Sequence, residues 1–345
     1  PISPALLYIE EETQINNQTL SDKLFNTTII NQTSSSSNEK VISVRANNYR
    51  ATEYFEDGIP LYRTANGFTD LSMYRADNTE IVLNAGGAHG LYAPSASGGE
   101  IILNSHKIKE GFHAFGGVTL SANERVANAL FSQKEGDWYY KLELNGMKRD
   151  YFNISKDFDN TTVQPNDERV NSDKEQQDGS LKIGYNINNN SKIAFKVSHQ
   201  KCEYGNPTQT SENDTPWDKY TRVDDKELNS YWFYYDYKKE SLELSVRAYY
   251  DAYQDLYNIY DSSSFLNLYS WAPPSTYYDS RLGAITSLGY NFSAEQTGKL
   301  TLQVERNRHR QEIQNDPIVK DYEAVDSSLS YMHTLKATQD LRVKA

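Results

Sequence analysis

The chain has 345 residues, of which 47 are acidic and 35 are Lys or Arg, giving a formal net charge of −12 at pH 7. That balance argues against a nucleic-acid partner held by phosphate neutralisation, and the single cysteine, Cys202, excludes an internal disulfide framework and argues against a cysteine-based zinc site. Only 37% of residues are hydrophobic and mean hydropathy is −0.76, yet there are 27 tyrosines against 12 Phe and 4 Trp, a bias that suits extended strands with one apolar and one wet face.

The opening residues, PISPALLYIEEE, lack a basic start and a long apolar core, so no export leader is expected among them. From there to about residue 110, short apolar runs alternate with turn-rich connectors. ALLYI, KVISVRA, TEYFEDGIPLY, TEIVLNA and GEIILNS read as strands, TLSDKLFNTTI as a short helix, and NQTSSSSNE as a mobile low-complexity loop. This stretch reads as a small mixed α/β domain.

From Gly111 the pattern changes to longer two-faced strands. In DWYYKLELNGMKRDYF, Trp138, Tyr140, Leu142 and Leu144 share one face and Tyr139, Lys141, Glu143 and Asn145 the other. The alternation recurs to the end of the chain, giving about ten or eleven strands. Short connectors (QKEGDW, INNNSK, KKES, SAEQTGK) alternate with long ones around residues 152–177, 203–225, 256–277 and 311–321. That alternation is what an up-and-down barrel in an outer membrane requires, with short periplasmic turns and long outer loops. No run of 18 or more apolar residues exists, so a membrane-spanning helix is not expected, whereas barrel strands need only alternate.

Two segments of the first region resemble the plug of TonB-dependent outer-membrane receptors. VISVRANNYRATEYFEDGIPLY resembles the family's strand, arginine, loop, strand and Asp-Gly turn, with Arg45, Asp57, Gly58, Pro60 and Leu61 at matching positions. TEIVLNAGGAHGLYAPSASGGEIILNS is similar to the family's "IEVLRGP…LYG…A.GGVINI" signature through Glu80, Ile81, Leu91, Tyr92, Ala96, Gly98, Gly99, Ile101 and Ile102. The chain departs from the pattern where Asn84-Ala85 replace the usual Arg-Gly and Ala93-Pro94 the usual Gly-Ser. The missing arginine removes an expected ion-pair partner between plug and barrel.

The resemblance implies a mainly β protein: a plug over residues 1–110, then antiparallel transmembrane strands over 111–345, about half of a barrel of about 22 strands. DLRVKA lacks the terminal aromatic of such barrels, and no TonB box is recognisable, so the chain is expected to be truncated. The implied activity is transport, not catalysis. An outer-membrane receptor of a Gram-negative cell would take up a scarce ligand, a ferric siderophore or related iron chelate above others, using energy from TonB and its inner-membrane complex. Outer-membrane lipid surrounds it, and no cofactor, metal or nucleic acid is expected. The competing readings are a non-transporting remnant or surface-recognition protein, and a smaller self-contained porin-like barrel.

Ligand contacts are expected from two plug loops, Arg45, Asn48, Tyr49 and Arg50 in one and Tyr62, Arg63 and Asn66 in the next. Guanidinium groups give charge-assisted hydrogen bonds to an anionic chelate, and aromatic faces stack on its rings. Trp217, Tyr220, Tyr257, Tyr260 and Trp271 are the corresponding candidates in barrel loops. Asp57, Gly58, Leu91, Tyr92, Gly98 and Gly99 form the plug signature. The six histidines show no metal-ligand spacing, and the acidic residues of the first two long connectors read as solvated loop charge.

Overall fold

The computed structural model describes residues 6–9, 19–25, 30–35, 38–45, 47–75, 79–84, 98–208, 210, 220–270, 272–317, 319–336 and 342–344. The expected helix is present as α1 (Leu20–Phe25). Thr19 starts it: its hydroxyl accepts from the amide of Asp22, whose carboxylate accepts from the Thr19 amide at 3.0 Å, a reciprocal cap that satisfies two orphan donors. NQTSSSSNE departs from expectation. Its first half belongs to strand β2 (Ile30–Ser34), which pairs antiparallel with β3 (Lys40–Val44) from Ile30 opposite Val44 to Ser34 opposite Lys40. Serine-rich composition argues for a loop, but backbone pairing to a strongly apolar partner strand overrides that weak preference.

A five-stranded mixed sheet completes the plug, in the order β1 (Leu6–Ile9), β6 (Thr79–Asn84), β7 (Gly99–Ser105), β4 (Thr52–Glu56), β5 (Ile59–Pro60). β4 and β5 are joined by Asp57 and Gly58, both at positive φ (50° and 83°), the two-residue hairpin geometry that favours Asp-Gly. β6 and β7 pair antiparallel, the strand and returning strand of the second signature. The glycine-rich reversal between them, with Leu91 and Tyr92, lies outside the described residues. Gly98 donates its amide to the Ala51 carbonyl at 2.8 Å, and a Cβ there would meet that oxygen at 2.9 Å, so the approach of the two backbones requires glycine.

Eleven strands follow: β8 (Gly111–Leu120), β9 (Glu124–Glu135), β10 (Trp138–Arg149), β11 (Lys174–Asn188), β12 (Ser191–Asn206), β13 (Tyr220–Lys239), β14 (Leu242–Tyr260), β15 (Ser275–Asn291), β16 (Gln296–Ile313), β17 (Lys320–Lys336) and β18 (Arg342–Lys344). Each pairs antiparallel with its sequence neighbour, with no crossover. Two-residue turns after β9, β11 and β13 and the four-residue turn after β15 lie at one end, and the long connections at the other. The sheet extends further into the long connections than the sequence suggests. Tyr220, Tyr257 and Tyr260, expected in loops, sit on β13 and β14, where Tyr220 pairs with Tyr260 and Val223 with Tyr257. Pairing continues there after the apolar alternation stops, helped by a bulge between Val223 and Asp225.

The two faces of this sheet differ. Phe195, Tyr231, Phe233, Leu282, Leu288, Leu300, Leu302 and Val304 are exposed on the outer face, and near the short-turn end Trp138, Tyr140 and Tyr185 group, as do Tyr290 and Phe292. An outward apolar band edged by aromatics has the pattern that a membrane barrel presents to lipid. The inner face packs on the plug. One buried cluster joins Leu20, Leu24, Ile42, Ile59, Ile81 and Ile101 of the plug to Leu228, Trp232, Tyr234, Tyr249, Tyr253 and Ile285 of the wall. Each apolar side chain so buried contributes about 1.5–3 kcal/mol. No described helix is long and apolar enough to cross a membrane.

Candidate functional site

Two plug loops meet on the side facing the long connections. Asn48 caps a one-turn 3-10 helix (Tyr49–Ala51), its side chain accepting from the Arg50 amide at 2.9 Å. Arg50 lies 4.8 Å above the Tyr49 ring and donates Nε to the Asn66 carbonyl at 2.7 Å. Arg63 reaches back to the Gly67 and Arg50 carbonyls at 2.8 and 3.1 Å and pairs with Glu53. Tyr49 stands edge-on to Phe68. The structure therefore brings Asn48, Tyr49, Arg50, Arg63 and Asn66 into one patch. Arg45 is exposed at the end of β3, at φ 51°. Tyr62 points elsewhere: it is buried, stacks on Tyr253 of the wall at 4.8 Å, and donates to Asp279 Oδ2 at 2.6 Å.

Asp279 also receives His309 Nδ1 on its other oxygen, at 2.6 Å. His309 stacks between Tyr277 and Tyr322. One carboxylate thus links a plug loop to an oriented imidazole on the barrel wall. Higher on the wall, Tyr220 and Tyr260 each meet the Phe265 ring edge-on, and Tyr260 donates to Asp224 at 2.7 Å. Arg222 makes a two-pronged pair with Asp173 at 2.8 and 2.6 Å. Tyr257 packs against Cys202, Tyr204 and Val223. Trp217 and Trp271 lie outside the described residues. Among those described, no group of three or more His, Cys, Asp or Glu could hold a metal ion.

Below the patch, the wall grips the plug with cations. Lys226 is 1% exposed and binds Glu39 and Asp70, each at 2.9 Å. Lys182 binds Asp57 at 2.8 Å and Lys196 binds Glu56. Arg281 donates to the Pro60 and Leu61 carbonyls at 2.8 and 3.0 Å while holding Asp251 behind it. Arg247 donates to the Asp57 carbonyl at 2.9 Å. Apart from Asp251, which backs Arg281 on the wall, the cation of each contact stands on the barrel and the acceptor on the plug. Burial opposes ionisation of Asp57, but the Lys182 charge, then hydrogen bonds from Lys182 and Ser105, outweigh it and hold the carboxyl well below its ordinary range. For Asp70, burial is likewise overcome by Lys226 first, then Lys174, with help from Ser72.

Sequence reasoning passed over these wall residues. A signal was present: Lys226 shares its alternation with Leu228, Trp232 and Tyr234, and Arg281 with Gly283 and Ile285, so each is a charge on an otherwise inward, buried face. Such a charge needs a partner, and the plug is what lies opposite.

No known sequence family matches the chain, and no curated protein does. Solved structures do. The copper transporter OprC superposes with a TM-score of 0.78 at 12% identity, over 99% of this chain and 53% of its own. The siderophore receptor PirA from Acinetobacter baumannii gives 0.72 at 15%, over 93% and 52%. The FrpB iron transporter from Neisseria meningitidis gives 0.69 at 13%, over 99% and 56%. At these identities the likeness shows the fold, a plug against an up-and-down barrel wall, and the chain spans about half the length of the structures it matches.

Proposed function

We propose that this chain is the plug, to about residue 110, and the leading barrel strands, from about 111, of a TonB-dependent outer-membrane receptor that imports a metal chelate, a ferric siderophore or related iron chelate above others. The observation that carries the reading is a small mixed domain bound by buried cations to the inner face of a sheet whose outer face is apolar. A closed, docked plug in a membrane wall suits energised uptake, because a passive pore needs no such lock. Solved structures of the same fold include proteins named as siderophore receptor, iron transporter and copper transporter, which supports a metal or metal chelate as cargo.

In this reading the ligand arrives from the long-connection end and meets Tyr49, Arg50 and Asn66, with Arg45 a further exposed cation at the end of β3, while Arg63 holds the patch together. Tyr220, Tyr257 and Tyr260 contribute from the wall above. TonB engages from the opposite side and drives release. The test is accumulation of radioactive iron, supplied as tris-catecholate and as hydroxamate chelates, by cells with and without the intact gene, before and after collapse of the proton-motive force. Gene-dependent uptake that stops on collapse supports the reading. Equal accumulation with and without the gene, for every chelate tried, sinks the iron-chelate assignment, and gene-dependent flux that survives collapse points to a passive pore.

A further inference from the structure

At the short-turn end, between the Asp57-Gly58 hairpin, the chain leaving β7 and the wall, lies a cavity of about 680 Å³. It sits on the far side of the plug from the Tyr49–Arg50 patch. Its wall side is formed by the ends of β9 to β15 next to their short turns, including Tyr139, Lys192 and Asp236.

Its charge is one-sided. Lys107, Lys134, Lys141, Lys182, Lys192 and Arg247 line it, against two carboxylates, Asp57 and Asp236. Glu110 and Glu143 hold Lys134 and Lys141 from outside the lining. Counting those as well leaves six cations facing four anions. Lys192 shares Asp236 with Arg247, at 3.5 Å against 2.7 Å. Lys107 is exposed on the strand-leaving segment and has no ion pair among the described residues.

One further group points to a missing acceptor. The Tyr234 ring stands between Lys182, 4.4 Å from its centroid, and Arg247, 5.3 Å away. Its side chain is 4% exposed, and its hydroxyl has no hydrogen-bond partner among the described residues. A buried donor left without an acceptor is costly and rare in native structures. An oxyanion would offer the Tyr234 hydroxyl an acceptor and answer the surplus charge together. The remaining lining, including Phe55, Ile102 and Ile193, is apolar, so the site suits an anion carried on a compact organic body.

We propose that this cavity is an inner anion site, taking a carboxylate- or phosphate-bearing ligand on the short-turn side of the plug. That it serves as a waypoint during release rests on the inward direction of the transport proposed above; that it binds oxyanions does not.

Citrate is the probe, in equilibrium dialysis with the purified full-length receptor in detergent at low salt. Saturable binding is expected, weakened about tenfold by Tyr234→Phe or by Lys107→Gln and weakened further by added salt. Citrate should also slow acetylation of Lys107 and Lys192, read by mass spectrometry on the unaltered protein, a measurement that stands if a variant misfolds. Absence of citrate binding, binding indifferent to both substitutions, or acetylation of both lysines unchanged at saturation overturns the site. Because this assay involves neither TonB nor iron, its failure leaves the uptake experiment untouched, and loss of iron uptake leaves the citrate result standing.

Discussion

Lys226→Met tests how the plug is held. The ammonium is 1% exposed, and its partners Glu39 and Asp70 are 7% and 3% exposed. Asp70 Oδ1 keeps its donors after the substitution, the Lys40 and Ser72 amides at 3.1 Å and the Ser72 hydroxyl at 2.8 Å. Glu39 Oε2 keeps the Ser35 hydroxyl at 2.8 Å. Asp70 Oδ2 and Glu39 Oε1 lose theirs, leaving two carboxylates buried together. Removing one side of a buried pair costs about 3–5 kcal/mol. Local opening governs amide exchange in the segment concerned, and one decade of rate corresponds to about 1.4 kcal/mol. Exchange over residues 38–44 and 68–73 should therefore speed by about two to three and a half decades, while amides of the outer barrel strands stay unchanged. The loss should shrink when Asp70→Asn is added, since one stranded charge is then gone. Exchange within threefold of the parent, or additive effects in the double variant, would refute the argument that Lys226 locks the plug.

Asp57 and Asp70 have carboxyls held below the ordinary value of 3.8, so the stability they give is complete above that value and is lost as pH falls through their folded-state values; exchange protection of residues 52–60 and 68–73 should be flat from about pH 8 to pH 5 and decline below about pH 4. Glu100 is the opposite case: it is 1% exposed with one oxygen unpartnered, and burial raises its pKa, so Glu100→Gln should stabilise the plug by about 1 kcal/mol at neutral pH, read as a higher urea midpoint that disappears near pH 4. Gly98→Ala should cost about 1–3 kcal/mol by the same measurement, because the new Cβ meets the Ala51 carbonyl. Tyr62→Phe leaves Asp279 without its plug donor and should loosen residues 61–64 by about 1–3 kcal/mol, seen as faster exchange there with no change at 52–56.

Much of this architecture was legible in the chain. Strand alternation from Gly111 onward and the alternating connector lengths are direct consequences of a two-faced, up-and-down sheet, and the Asp57-Gly58 hairpin is fixed by local conformational preference. The β2 strand was illegible because Asn31–Ser34 owes its form to pairing with β3, a tertiary effect that serine-rich composition hides. The upper ends of β13 and β14 were misread for a related reason: above the apolar band, water reaches both faces, so alternation disappears while backbone pairing persists. Within the site, the Arg50–Asn66 contact joins residues of two loops already singled out. Tyr62 sits in the same loop as Arg63 yet turns to the wall, and no local pattern distinguishes the two; the direction is set by Asp279, 217 residues away.

The lock has two tiers. The upper tier is Lys226, which holds the end of the β2–β3 hairpin and the segment at Asp70. The lower tier is Lys182, Lys196, Arg247 and Arg281, all acting on β4, β5 and the residues beside them. β1, at the edge of the plug sheet, is bound to β6 by only four residue pairs. A force applied from the N-terminal side therefore meets β1 first and reaches the β4–β5 hairpin, at the other edge of the sheet, last. Because the lower tier clamps that hairpin through carboxylates and carbonyls together, neutralising Asp57 alone leaves the Arg247 and Arg281 contacts intact. The β4–β5 hairpin, at the opposite edge of the sheet from β1, is thus held to the wall by several contacts at once, so Asp57→Asn should weaken protection at 57–58 more than at 60–61.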